Sequence, residues 1–123
     1  MKYLLVVGSR SITDYRLVSS VLDKYCDMET VIISGGAGGV DFLAEKYADE
    51  HGLEKVIMKA DWNRHGKRAG YIRNAQMHEY ISRYDDRLCI AFWDGRSKGT
   101  AHSFKLAEEY KNPIEIITIE KEQ

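Results

Sequence analysis

The sequence predicts an α/β fold, an open doubly wound parallel sheet of about five strands alternating with four helices. Two observations predict it. Short, unbroken apolar runs recur along the chain, as strands do when helices cover both of their faces, and stretches with apolar residues every three to four positions lie between them. Such an alternation requires right-handed crossovers, and the compact way to close them is a helix-covered parallel sheet. In that architecture ligands sit beyond the carboxyl ends of the strands, where the strand order reverses, so the loops after strands one, two and four form the candidate site.

The first run, Tyr3-Leu4-Leu5-Val6-Val7, ends at Gly8-Ser9-Arg10 and is too short for a signal-peptide core or a membrane span. Asp14 stands as an N-cap before the stripe Leu17, Val18, Val21, Leu22 and Tyr25. Val31-Ile32-Ile33 makes the second strand, and Val40, Leu43, Ala44, Tyr47 and Ala48 give the cleanest helical stripe in the chain. Val56-Ile57-Met58 reads as a third, interior strand, followed by a less regular helix over about Lys67 to Arg83. Leu88 to Phe92 is the fourth strand, and Ala101, Phe104, Ala107 and Tyr110 mark the last helix before Asn112-Pro113. Ile114 to Ile119 mixes in polar residues, which suits an edge strand.

With 123 residues, 44% apolar and 30% charged, the chain has the length and composition of one soluble globular domain over residues 1–123. Lys and Arg number 18 against 19 Asp and Glu, a formal net charge of −1, so there is no global field to hold a nucleic-acid backbone or an anionic membrane. Nucleic acid and membrane are disfavoured as partners, and any anion site must be local. Cys26 and Cys89 are far apart and form no C-x-x-C pair, as expected of two reduced, packed thiols in a cytoplasmic protein. The four histidines form no H-x-x-x-H pair, so no metal and no resident cofactor is assigned.

Three segments concentrate chemistry. After strand two comes Ser34-Gly35-Gly36-Ala37-Gly38-Gly39-Val40-Asp41, whose glycines leave backbone N–H groups unobstructed at a helix start, the arrangement that cradles a phosphate. It is neither a dinucleotide fingerprint, which belongs after the first strand, nor a P-loop, because no G-K-[ST] occurs. Asp41 in the first helical turn would repel a phosphate placed too close, and a ribose hydroxyl is its expected partner. The second segment runs from Asp61-Trp62 through Gly66-Lys67-Arg68 to Arg73-Asn74. Arg73, flanked by Ile72 and Met77, is expected to aim a guanidinium fork into the cleft, while Arg64 and Lys67 are expected to be solvated. Trp62 is expected either to stack on a base or to pack under the third helix. The third, Trp93-Asp94-Gly95-Arg96-Ser97-Lys98-Gly99-Thr100, is expected to be a second anion nest facing the first.

Together, Gly8-Ser9-Arg10, the Ser34 to Asp41 loop, Asp61-Trp62, Ala69-Gly70-Tyr71-Ile72-Arg73-Asn74 with Met77, and Ala91-Phe92 leading to Gly99-Thr100 resemble the YspA-type branch of the SLOG superfamily. Its relatives include the Lonely Guy phosphoribohydrolases and the DNA-processing protein A fold. The resemblance implies a Rossmann-like domain that binds a nucleotide or a nucleotide-derived, ADP-ribose-like ligand, often as a homodimer or larger assembly. Arg73 and Met77 match the Arg and Met of the Lonely Guy R-K-x-x-M segment, with Asn74 in place of the Lys. Of the P-G-G-x-G-T-x-x-E motif only Gly99-Thr100 match, and the Glu position holds Ser103.

The leading expectation is therefore a binding module that senses or sequesters its ligand, with phosphate on the glycine loops and Arg10 and Arg73 as clamps. The alternative is a phosphoribohydrolase that cleaves the N-glycosidic bond of a nucleoside 5′-monophosphate, with Arg73 orienting the phosphate and Asp41 or Asp94 acting on the ribose side. A further alternative is single-strand binding by Trp62 and the basic residues from Arg64 to Arg73. Tyr71, Met77, Tyr80 and Ile81, spread around the third helix, point to self-association.

Overall fold

The computed structural model describes residues 1–119. In chain order it contains β1 (Lys2–Gly8), α1 (Tyr15–Leu22), β2 (Thr30–Ser34), α2 (Val40–Glu50), β3 (Glu54–Ile57), α3 (Trp62–His65), α4 (Ala69–Ser82), β4 (Arg87–Trp93), α5 (Lys98–Glu109) and β5 (Ile114–Thr118), with a 3-10 turn (Gly66–Arg68) leading into α4. The five strands form one parallel sheet in the order β3-β2-β1-β4-β5. Order reverses between β1 and β4, which places the switch point, and hence the cleft, at the carboxyl ends of those two strands.

Each central strand sends alternate residues to opposite layers. Leu4, Val6, Ile32, Ile90 and Phe92 pack under α1 and α2 with Val18, Leu22, Val40, Ala44 and Tyr47. Leu5, Val7, Ile33, Cys89 and Ala91 face the other layer, where Met77 and Ile81 of α4 and Phe104 of α5 cover them. Both faces of β1 and β4 are thus dry, which is why their sequences run apolar without a break. Asp14 caps α1 by accepting the Leu17 N–H at 3.2 Å. Cys26 is half-buried and Cys89 buried, both free thiols, and burial pushes the Cys26 thiol up to about 11.

Three expectations need correction. Val56-Ile57-Met58 is not interior: β3 is the edge beyond β2, and Ile57 is exposed. The apolar run gives the strand but cannot tell how many neighbours it has. The third helix starts at Ala69 rather than near Lys67, because the preceding segment forms its own turn of helix. Asp61 caps α3 through the Arg64 N–H at 3.1 Å, and Gly66 ends it with a φ of 58°. Lastly, Met77 and Ile81 are buried in the sheet core and Tyr80 packs against it, leaving Tyr71 as the exposed one of the four residues that pointed to self-association. No helix among the described residues is long and apolar enough to cross a membrane.

Candidate functional site

A cleft of about 500 Å³ opens at the switch point, walled by the loops after β1, β2 and β4 and by α3 and the first half of α4. It gathers Gly8 at the end of β1 with Ser9 and Arg10 after it, Ala37 of the second loop with Asp41 in the first turn of α2, Trp62, Arg73 and Asn74 from α3 and α4, and Asp94 of the loop after β4 with Gly99 and Thr100 in the first turn of α5. A second hollow of similar volume shares Arg10, Ala37, Trp62 and Arg73 with the first and adds Gly35, Gly36, Gly38 and Lys59. Ser34, Gly39 and Gly95 line neither.

The loops are locked together by close packing. Gly39 has a φ of 66°, and a Cβ there would lie 2.6 Å from the backbone of Arg10, so a side chain would be both strained and in collision. At Gly35 a Cβ would lie 2.7 Å from Nη1 of Arg73 and 2.8 Å from Oδ2 of Asp41. At Gly36, whose φ is 68°, a Cβ would lie 2.8 Å from Cγ of Lys59, so three of the loop's glycines serve contacts within the chain, whereas Gly38 faces open space. Ser34 is fully buried and donates to Glu45 Oε2 at 2.7 Å, which makes it an anchor for α2 rather than part of the cleft wall.

Arg73 is the centre of the arrangement. It is nine-tenths buried, donates from Nη1 to the Gly35 carbonyl, and donates from Nε to Asn74 Oδ1 at 3.0 Å. Among the described residues no carboxylate lies within ion-pair distance of it. Burial draws its guanidinium down from the usual arginine range, opposed by the charge of Asp41. A buried guanidinium with only neutral partners attracts anions strongly, because it is incompletely compensated in a poorly hydrated site.

Asp41 is also buried, and its Oδ2 accepts the Ala37 N–H at 3.1 Å. Burial pushes its carboxyl up to about 6, against the lowering effects of the Ala37 hydrogen bond and Arg73. It therefore exchanges a proton near neutral pH, which suits a general acid or base. The N-terminus of α2 has no side-chain cap.

The loop after β4 is different, and the expected second anion nest is not open. Asp94 Oδ1 accepts the N–H groups of Arg96 and Ser97, both at 2.8 Å, and its Oδ2 accepts Ser11 Oγ at 3.0 Å. Ser97 Oγ caps the Thr100 N–H at 3.3 Å and also accepts its hydroxyl at 3.0 Å. A carboxylate of the protein itself thus occupies the place an anion would take, and these hydrogen bonds hold Asp94 down to about 2. The backbone N–H of Asp94 donates to Ser9 Oγ at 3.2 Å, stitching this loop to the first. The signal for this was in the sequence: Asp94 stands two and three residues before Arg96 and Ser97, the spacing of an Asx turn.

Trp62 is half-exposed and lies over the start of α4, its Cη2 atom 3.5 Å from where a Cβ on Gly70 would be. It flanks both hollows. Lys67 is exposed, as expected, and also lines the cleft, while Lys59 lines the second hollow without a sequence signal, since a lone Lys after an edge strand gives no pattern. Among the described residues no group of three or more His, Cys, Asp or Glu side chains could hold a metal.

Comparison with known proteins agrees with this architecture. The sequence model described as the YspA, cpYpsA-related SLOG family matches residues 3–65. The Gene 61 protein of Mycobacterium phage D29 is 32% identical over 122 residues, 93% of this chain and 94% of that protein. DNA processing protein A from Streptococcus pneumoniae superposes with a TM-score of 0.67 at 19% identity, over 94% of this chain and 50% of that one, so the chain spans about half its length. The C-terminal domain of a hydrogenase from Pyrococcus furiosus gives a TM-score of 0.50 at 13% identity, over 94% of this chain and 90% of that one. The two structures share the fold; the sequence matches place this chain in the YspA, cpYpsA-related SLOG family, to which it belongs.

Proposed function

We propose, with SLOG-family membership as the premise, that the protein binds a phosphorylated, nucleotide-derived ligand as a sensing or sequestering module. Phosphate would lie between the glycine loop after β2 and the Arg73 guanidinium, with Arg10 closing the outer side. The observation that carries the reading is Arg73 itself, nine-tenths buried between two hollows with neutral partners only. The uncapped start of α2 supports it, and the carboxylate-filled loop after β4 argues for one phosphate locus rather than two facing nests.

Isothermal titration of the protein with nucleoside mono- and diphosphates and with ADP-ribose tests the proposal. Arg73→Gln should weaken binding by about tenfold to a hundredfold, the size of a charge-assisted hydrogen bond of roughly 1.5–3 kcal/mol. No binding of any of these compounds at millimolar concentration would rule the reading out.

Asp41 supports a second reading, hydrolysis of an N-glycosidic bond, since a carboxyl raised to about 6 beside a phosphate anchor could act on the ribose side. Release of free base from nucleoside 5′-monophosphates by the parent, abolished in Asp41→Asn with affinity retained, would favour it. Intact nucleotides after long incubation would leave binding alone.

A further inference from the structure

Among the described residues, three buried side-chain polar atoms lack a hydrogen-bond partner: His78 Nε2, His102 Nδ1 and Ser103 Oγ. All three sit on α4 or α5, the two helices that pack side by side over one face of the sheet. His78 is fully buried and lines neither of the two hollows, and the His102 ring is met edge-on by Tyr71, their centroids 4.7 Å apart. Ser103 is different: it is 1% exposed, and it lines the cleft together with Met77.

An unpartnered buried hydroxyl costs stability, whereas an alanine methyl in its place would cost nothing of the kind. In the wall of the same cleft, Asn74 is fixed by its Oδ1 accepting from Arg73, which turns its amide N–H₂ toward α5, where the bond to the Gly99 carbonyl is long at 3.4 Å. The α4–α5 end of the cleft thus offers an N–H donor and a hydroxyl that can donate or accept. Asp94 is the charged group in the adjoining loop wall, and its sign repels an anion. The guanidinium holds Asn74 Oδ1 with its Nε and points its Nη1 end toward the Gly35 carbonyl.

We infer that Ser103 Oγ and Asn74 Nδ2 form a neutral subsite that selects an uncharged hydrogen-bonding group of the ligand, a hydroxyl or a ring amide edge, at the end away from its phosphate. The inference rests on the phosphate reading above and adds the polarity of the cleft: an anionic end at the β2–α2 loop and a neutral end between α4 and α5. Ser103 is thereby a specificity-determining contact.

The test compares the parent with Ser103→Ala and the near-isosteric Ser103→Cys. Calorimetry is run with inorganic phosphate, ribose 5-phosphate and the four nucleoside 5′-monophosphates, alongside the melting temperature of each ligand-free protein. Both variants should bind the best mononucleotide about fivefold to tenfold more weakly, bind inorganic phosphate as the parent does, and melt no lower than the parent. A matching loss for ribose 5-phosphate identifies a sugar hydroxyl as the selected group, and an unchanged affinity for it identifies the base. Equal mononucleotide affinity in parent and variants overturns the inference while leaving the phosphate site standing. A lower melting temperature in Ser103→Ala also overturns it, because it shows that the hydroxyl supports the fold. If the parent binds none of the probes, the phosphate reading fails and this inference with it.

Discussion

The two glycine-containing loops that start α2 and α5 look alike in sequence and differ in what they can do. Each carries glycines, small hydroxyl residues and an aspartate at the carboxyl end of an inner strand. In the loop after β4, Asp94 and Ser97 reach back and take the N–H groups of Arg96, Ser97 and Thr100. In the loop after β2, Asp41 takes the N–H of Ala37, while the helix start at Gly39 has no side-chain cap. The position of the aspartate decides: before the helix it folds back as an internal anion, and inside the first turn it leaves the end open. Glycine content alone does not mark a ligand site; the fate of the freed donors does.

Substitutions at the glycines should give the largest effect and separate packing from ligand access within one loop. Gly39→Val forces a β-branched side chain to a φ of 66° and into the Arg10 backbone, and should cost at least about 3 kcal/mol in denaturant unfolding. Gly38→Ala, with open space around its Cβ, should leave stability within about 0.5 kcal/mol and disturb ligand binding alone.

The aspartates should then respond to pH with opposite signs. Asp41 is raised from 3.8 to about 6, so the stability it supplies is complete below about pH 4 and is lost as pH rises through about 6. Asp41→Asn escapes that loss, so its unfolding free energy should gain on the parent's between pH 4 and 7, by an amount on the order of 2 kcal/mol. Asp94 is lowered to about 2, so its contribution is present above about pH 4 and fades as pH falls through about 2. Asp94→Ala should therefore be less stable than the parent at pH 7, by about 1 kcal/mol given its partial exposure, and the gap should close in strong acid. The same variant frees the donors of Arg96 and Ser97, so added sulfate should stabilise it more than it stabilises the parent.

Much of this was legible in the sequence, for reasons that are local. The dry inner strands and the stripe of α2 declare themselves because each is a one-element pattern, and the order of loops around the cleft follows from the alternation. Asp94 filling its own nest was legible in principle, since an Asx turn spans only three residues, but the glycines nearby suggested an open cradle instead. The edge position of β3 and the packing of Gly35 against Arg73 were not legible, because they depend on which segments the topology sets side by side. Ser103 stood out in the sequence at the glutamate position of the motif that Gly99-Thr100 partly match, yet only the packing of α4 on α5 shows that its hydroxyl is unpartnered.

The most direct test of the central claim, that phosphate binds at the β2–α2 loop and not at the β4–α5 loop, is a titration of ¹⁵N-labelled protein with a nucleoside 5′-monophosphate, following backbone amide shifts. The account predicts saturable shifts at Gly36 and Gly38, which line the hollow beside Arg73, with Arg96 and Ser97 held in place by Asp94. Saturable shifts at Arg96 and Ser97 with Gly36 and Gly38 unmoved would contradict it.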